Sequence, residues 1–264
     1  MNLWQAHPLA KRHQVGALSV SATPYLLTFG ESLAIPTLDL KLKEKKEKAN
    51  LSVEESGGST LGFRDFDMTK VGVKSYNPAT NEIECFPISW NEYTEMRDPK
   101  FRETVPANEN FHCLSICGVV KTIDEHMVLS FRSKKVSIYK DMWHVSAAGF
   151  VDLETAQIAQ TTLFQFFLEL EEELGVLPSD IIHVKQLGLC QHLVIDSASV
   201  EVCMYAETRL TSAEIIGRAK GAKDSWEGKI STFPIDRLRE MVGLESEVKF
   251  NPGGAATIIM ALGL

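Results

Sequence analysis

Leu168-Glu169-Leu170-Glu171-Glu172-Glu173-Leu174-Gly175-Val176 is the stretch whose reading decides the fold of this 264-residue chain. A helix turns about 100° per residue, so Glu169, Glu172 and Glu173, at i, i+3 and i+4, share one face. Leu163, Phe166, Phe167, Leu170 and Leu174 gather on an adjoining face suited to packing on a sheet. Gly175 ends the helix, because glycine enters the left-handed region without steric cost. Like charges one turn apart cost about 0.2–0.5 kcal/mol per pair on an exposed helix, and more where the dielectric is low. Two readings of these residues stand side by side. One is a solvated acidic face. The other is a carboxylate set whose repulsion a divalent cation relieves, magnesium above all, since it prefers oxygen donors and can activate water or polarise a phosphoryl group.

Outward from this stretch, the helix is expected over Thr161–Leu174. An apolar strand, Trp143–Val151, precedes it and carries Gly149, and Pro178 follows. Cys113–Lys121 and Met127–Phe131 read as a hairpin around Asp124-Glu125. Val184–Val194 and Val200–Thr208 read as two further strands with a turn near Asp196-Ser197. Ser212–Ala219, capped by Thr211 or Ser212, Pro234–Val242 and Gly254–Leu262 read as helices, the last capped at Asn251-Pro252-Gly253-Gly254. In the first half, Val71–Tyr76 and Glu82–Ile88 are short strands joined through a turn at Asn77–Asn81, and Trp90–Arg97 is a short helix. Leu40–Glu55 is a solvated charge run. Gly57-Gly58-Ser59-Thr60 is a loop and not a P-loop, since no Gly-Lys-Ser/Thr follows. Strands, a helix, more strands and then helices predict an α+β fold. Pro99 and Pro106 punctuate a polar stretch, which places a smaller mixed α/β accessory region at 1–107 and the main domain at 108–264.

Hydrophobic residues make up 44% and charged residues 23%, the balance of a soluble globular protein. The net charge of −8 gives no general attraction to nucleic acid or anionic membrane. No stretch approaches the roughly 20 apolar residues of a membrane span, and Met1–Lys11 has no apolar run of signal-peptide type. The five cysteines, Cys85, Cys113, Cys117, Cys190 and Cys203, show no zinc-like pairing and read as reduced, buried thiols of a cytoplasmic protein. Gly-x-Ser-x-Gly and His-Glu-x-x-His are both missing. His112 and Cys113 are neighbours on a strand and point to opposite faces, which excludes them as a nucleophile pair. His144 reads as a strand histidine with its hydrogen bonds met.

The segment from Gly149 to Val176 resembles the Nudix box, the strand–loop–helix–loop motif of the Nudix hydrolases. Glu169–Val176 matches the end of that pattern, and Gly149 matches its opening glycine. The loop from Gly149 to Leu168 is five residues longer than the family spacing. The early glutamate has no clean match: Glu154 lies one position short counting from Gly149, and Gln160 holds the position counting back from Leu168. Leu168 stands where the family has an arginine that helps hold a glutamate. The resemblance implies an α/β/α sandwich and a Mg2+-dependent hydrolase, Mn2+ serving as an alternative. It would cleave the phosphoanhydride bond of a nucleoside diphosphate linked to another moiety. Glu169, Glu172 and Glu173 would bind metal and act in catalysis. It further implies a phosphate-binding cation on the strand before the box, for which Arg132 is the candidate beside a plain surface role. A late loop would supply Glu227 as an extra metal ligand and Trp226 as a stacking surface. The expected partner is a small-molecule nucleotide diphosphate derivative, with no nucleic acid and no membrane, and a homodimer is a common assembly of such proteins. Leu168 and the unmatched early glutamate motivate the alternative of a non-catalytic Nudix-like nucleotide-binding or regulatory module. An isomerase acting on an allylic diphosphate through Cys113 or Cys117 is a more distant third.

Overall fold

A computed structural model of the chain describes residues 69–77, 79–80, 82–106, 111–159, 162–192 and 199–264, with the backbone alone at 15–20, 26–29, 157–159 and 192. In chain order the strands are β1 (Val15–Val20), β2 (Leu26–Phe29), β3 (Lys70–Asn77), β4 (Glu82–Ile88), β5 (His112–Lys121), β6 (His126–Arg132), β7 (Trp143–Val145), β8 (Ala148–Phe150), β9 (Ile181–His192), β10 (Ser199–Thr208) and β11 (Gly228–Pro234). The helices are α1 (Trp90–Met96), α2 (Pro99–Thr104), α3 (Leu153–Ala159), α4 (Thr162–Leu174), α5 (Ser212–Ala219), α6 (Ile235–Val242) and α7 (Pro252–Leu262). The expectations for Leu40–Glu55, Gly57–Thr60 and the turn at Asp196-Ser197 fall outside the described residues.

One mixed sheet runs β1-β9-β10-β5-β3-β4-β2, with β6 and β8 also pairing to β5, and β7 and β11 to β6. The β10/β5 and β2/β4 pairs are parallel and the others antiparallel. Strands from before residue 107 and after it therefore hydrogen-bond within the same sheet.

The alternation of side chains along the central strands explains why helices cover both faces. Leu114, Ile116 and Val120 of β5, with Val202, Met204 and Ala206 of β10, share a core with Phe166, Leu170 and Leu174 of α4 and Ile215 of α5. Cys117 and Val119 of β5, with Cys203 and Tyr205 of β10, share the opposite core with Leu238 of α6 and Ala255, Ala256, Ile258 and Ile259 of α7. The α+β expectation holds, in an α/β/α layering. Gly118 is bare for a reason: a Cβ there would sit 2.0 Å from the Phe166 ring, so α4 lies directly on the β5 backbone. A third cluster, Ile88, Tyr93, Met96, Phe101, Val105, Phe111 and Cys113, seats α1 and α2 beside the end of β5.

Several expectations are corrected. The strand expected over Trp143–Val151 is two strands, because Ala147 has φ +81 and turns the chain between them. The long loop before α4 contains α3. Gly228–Pro234, for which the sequence predicts no strand, forms β11 against β6, and Pro99–Thr104, read as part of a polar stretch, is helical. Caps fall where the sequence places them. Thr211 caps α5 reciprocally with Glu214, and Asn251 accepts from the Gly253 and Gly254 amides at the start of α7.

Candidate active site around the glutamate helix

Helix α4 ends at Gly175, whose φ of +65 is the left-handed conformation expected there. Its sheet-facing side carries Phe166, Leu170 and Leu174, as the spacing predicts. The adjoining face turns Glu169 and Glu173 toward β8. Glu173 accepts hydrogen bonds from the Ala148 amide (2.8 Å) and the Ala147 amide (3.3 Å). The positive φ of Ala147 is what lets two successive amides meet one carboxylate.

Glu169 accepts from Gln165 Nε2 at 2.7 Å, and Gln165 Oε1 in turn accepts from the Asp152 amide at 3.3 Å. A Cβ on Gly149 would come 2.2 Å from Glu169 Oε1, so the opening glycine of the segment makes room for that carboxylate. Asp152 also pairs with Lys70, which ties β3 to the same corner.

The electrostatics of the pair are unfavourable for two anions. Burial pushes the Glu169 carboxyl up to about 8, with Glu172, Glu227 and Asp152 adding like-charge repulsion against the help of Gln165. Burial likewise drives Glu173 well above the usual carboxylate range, reinforced by Glu169 and Glu227, despite the two amides. Glu227 is raised by burial too, and Arg132 offsets part of that rise. Glu169, Glu173 and Glu227 thus form one acidic cluster with Arg132 at its edge. Arg132 ends β6, and its Nε is buried without a hydrogen-bond partner among the described residues. A buried guanidinium N–H left in that state costs stability unless an acceptor arrives.

The expected residues divide accordingly. Glu169, Glu173, Glu227 and Arg132 come together. Glu172 turns away to Lys223, whose Nζ lies 2.5 Å from its Oε1. Trp226 is 41% exposed and donates Nε1 to Asp224 Oδ1 at 3.1 Å. Glu154 is exposed in the first turn of α3. His144 is buried in β7, with Nε2 3.9 Å from Cys117 Sγ. His112 bonds Gln191 at 2.8 Å, away from Cys113, and all five thiols are free and buried. Among the described residues, no three acidic, imidazole or thiol groups already stand at metal-ligating distance. The donor set still suits a hard cation: enclosed carboxylate oxygens, crowded by their own charge, with amides and an amide side chain fixing their orientation.

Sequence reasoning missed Gln165, Lys223 and the Ala147–Ala148 amides. Gln165 carried a signal, since it lies one turn before Glu169. Lys223 carried none, because its partner is 51 residues away.

No family model and no curated protein matches the chain. Among solved structures it is similar to Tm1382, a protein proposed to be a Nudix hydrolase. That alignment has 10% identity and a TM-score of 0.46, and covers 74% of this chain and 98% of that one. It is also similar to DR0079 from Deinococcus radiodurans (14% identity, TM-score 0.42, covering 70% and 96%). A third is the Nudix domain of Shewanella oneidensis NrtR, crystallised with ADP-ribose (17% identity, TM-score 0.36, covering 66% and 97%). At these scores none of them assigns a residue or a role to this chain. Nudix proteins are thus what the chain is similar to, in the box of its sequence and among these solved structures.

Proposed function

We propose that the chain is a metal-dependent pyrophosphohydrolase that splits the phosphoanhydride bond of a nucleoside diphosphate derivative. The observation that carries this reading is the burial of Glu169 and Glu173 together, beside Glu227 and the unpartnered Nε of Arg132. Carboxylates held at such a cost, near an arginine whose Nε has no acceptor among the described residues, suit a ligand that brings both a divalent ion and phosphate oxygens.

In this reading Glu169, Glu173 and Glu227 hold Mg2+ or Mn2+, with Glu172 at the edge of the set. The ion, when bound, supplies charge neutralisation at phosphoryl oxygens and a more acidic water. The chain's own groups do the rest. The Ala147 and Ala148 amides and Gln165 fix two carboxylates before substrate arrives, so little reorganisation is left to the reaction. Arg132 donates to a phosphate oxygen. The exposed face of Trp226 offers a stacking surface to a base or leaving group. A water oxygen bonds to one phosphorus, the bridging P–O bond breaks, and the proton passes to a carboxylate of the cluster, Glu227 being the least buried of the three. The expected substrate is a small soluble nucleotide met in the cytoplasm. Residues 108–264 act as the hydrolase domain and 1–107 as an accessory region. No helix among the described residues is long and apolar enough to cross a membrane.

A second reading, a nucleotide-binding module without turnover, is favoured by Leu168 and by Glu154 standing exposed. A magnesium-dependent screen against nucleotide sugars, ADP-ribose, dinucleotides and dinucleoside polyphosphates separates the two. Turnover is expected with at least one substrate, reduced at least about 100-fold in Glu173→Gln, since losing a metal ligand should cost no less than losing a group that supports one. Binding without cleavage across that panel would establish the module instead.

A further inference from the structure

Helix α4 (TLFQFFLELEEEL) has no lysine or arginine, yet four glutamates crowd its last two turns. Negative side chains at a helix C-terminus are opposed by the helix dipole as well as by each other. The compensating charge comes from outside the helix. Lys223 Nζ meets Glu172 Oε1 at 2.5 Å, and the next residue's amide, Asp224 N, donates to the Glu172 carbonyl at 2.9 Å. The Glu227 amide then donates to the Asp224 carbonyl at 2.9 Å. One short turn is therefore docked on Glu172 by backbone and side chain together. The same turn presents Glu227 to Glu169 and Glu173. Leu168, one helical turn before Glu172, lines the same surface depression as Lys223 and Ala222.

We propose that Lys223 is the positioning residue for Glu172, a cation supplied from the α5–β11 loop that fixes this carboxylate at the rim of the acidic cluster and locks Glu227 in register with it. An exposed ion pair by itself does little for stability. What distinguishes this one is that the loop is tethered at the adjoining residue, so the lysine head arrives at a set place. The inference rests on the metal-binding reading of the cluster.

The test is titration of Mn2+ into the full chain, following the free ion by electron paramagnetic resonance, with melting temperatures recorded without metal to check the fold. Lys223→Met should weaken Mn2+ binding by about tenfold, the lower end of what loss of a ligand-supporting group costs. Lys223→Arg should bind like the parent, and adding Leu168→Arg to Lys223→Met should recover most of the loss, because position 168 reaches the same carboxylate from within the helix. Parent-like or tighter binding by Lys223→Met overturns the proposal. So does a defect that neither arginine repairs, which would make loop packing rather than charge the cause. Glu169→Gln is the control for the underlying reading. If it too binds Mn2+ like the parent, the metal centre itself falls. If it loses binding while Lys223→Met does not, only the role of Lys223 falls.

Discussion

Glu201 on the α7 face of the sheet and Glu169 on the α4 face each lie against a glycine whose missing side chain makes room for a carboxylate. A Cβ on Gly253 would come 1.5 Å from Glu201 Oε2, as one on Gly149 would come 2.2 Å from Glu169 Oε1. Their surroundings differ. Glu201 accepts from Cys117 Sγ at 2.5 Å, with the thiols of Cys190 and Cys203 in the same apolar core. Burial drives the Cys117 thiol well above the usual range, and a hydrogen bond with Cys203 together with burial does the same for Cys190. Glu169 instead has the carboxylates of Glu173 and Glu227 as like-charged neighbours. An enclosed acid is therefore not enough to mark a site. One acid with a thiol donor against it is a solved packing problem, whereas several acids in one enclosure must bind protons or take a cation.

The paired glycines give the largest expected effects. Gly149→Ala should displace the Glu169 carboxylate and weaken Mn2+ binding by about 10–100-fold. Gly253→Ala forces the same kind of clash on the other face, and should cost about 1–3 kcal/mol of stability with Mn2+ affinity unchanged. Equal losses of metal affinity in the two variants would erase the distinction between the faces. Calorimetric titration and chemical denaturation give the two quantities.

The pH dependence sharpens the same contrast at smaller amplitude. The folded-state value of Glu169, about 8, lies above its ordinary 4.5, so the folded state binds this proton more tightly than the unfolded one. The stability it contributes is complete below about pH 4.5 and is lost as pH rises through about 8. Without divalent ions the melting temperature should therefore fall between about pH 5 and 8, and Mn2+ should counter that fall. Glu169→Gln and Glu173→Gln should each flatten the slope. A slope untouched by both substitutions would assign it to groups outside α4.

The parts of the fold legible in the sequence are those whose signal is local. The glutamate helix, its glycine stop and its apolar face follow from spacing alone, and the central strands follow from short apolar runs bounded by turn residues. What could not be read depends on partners far away in the chain. β11 has a polar sequence and becomes a strand only because β6 offers it an edge. The break between β7 and β8 turns on Ala147 at positive φ, a conformation that alanine does not advertise. The helix α3 hides in what spacing presents as a long loop. At the site, Glu169 and Glu173 could be singled out as a pair one turn apart. The departure of Glu172 to Lys223 could not, because a lysine in a late loop carries no mark of which acid it will meet.

The ring of Phe166 resting on the bare backbone at Gly118 makes the helix's altitude above the sheet a quantity fixed by absent atoms. Chemical selectivity can then be tuned from a residue that bears no charge and touches no ligand. A methyl at 118 would meet the Phe166 ring at 2.0 Å, far inside van der Waals contact, and force the acidic ridge outward. On the proposed metal-binding reading this disfavours Mg2+, which demands near-ideal octahedral contacts of about 2.0–2.1 Å, more than Ca2+, which tolerates about 2.3–2.6 Å. Gly118→Ala should thus narrow the preference for the smaller ion before it abolishes binding. An unchanged ratio of Mg2+ to Ca2+ affinity in that variant would show that altitude and selectivity are uncoupled.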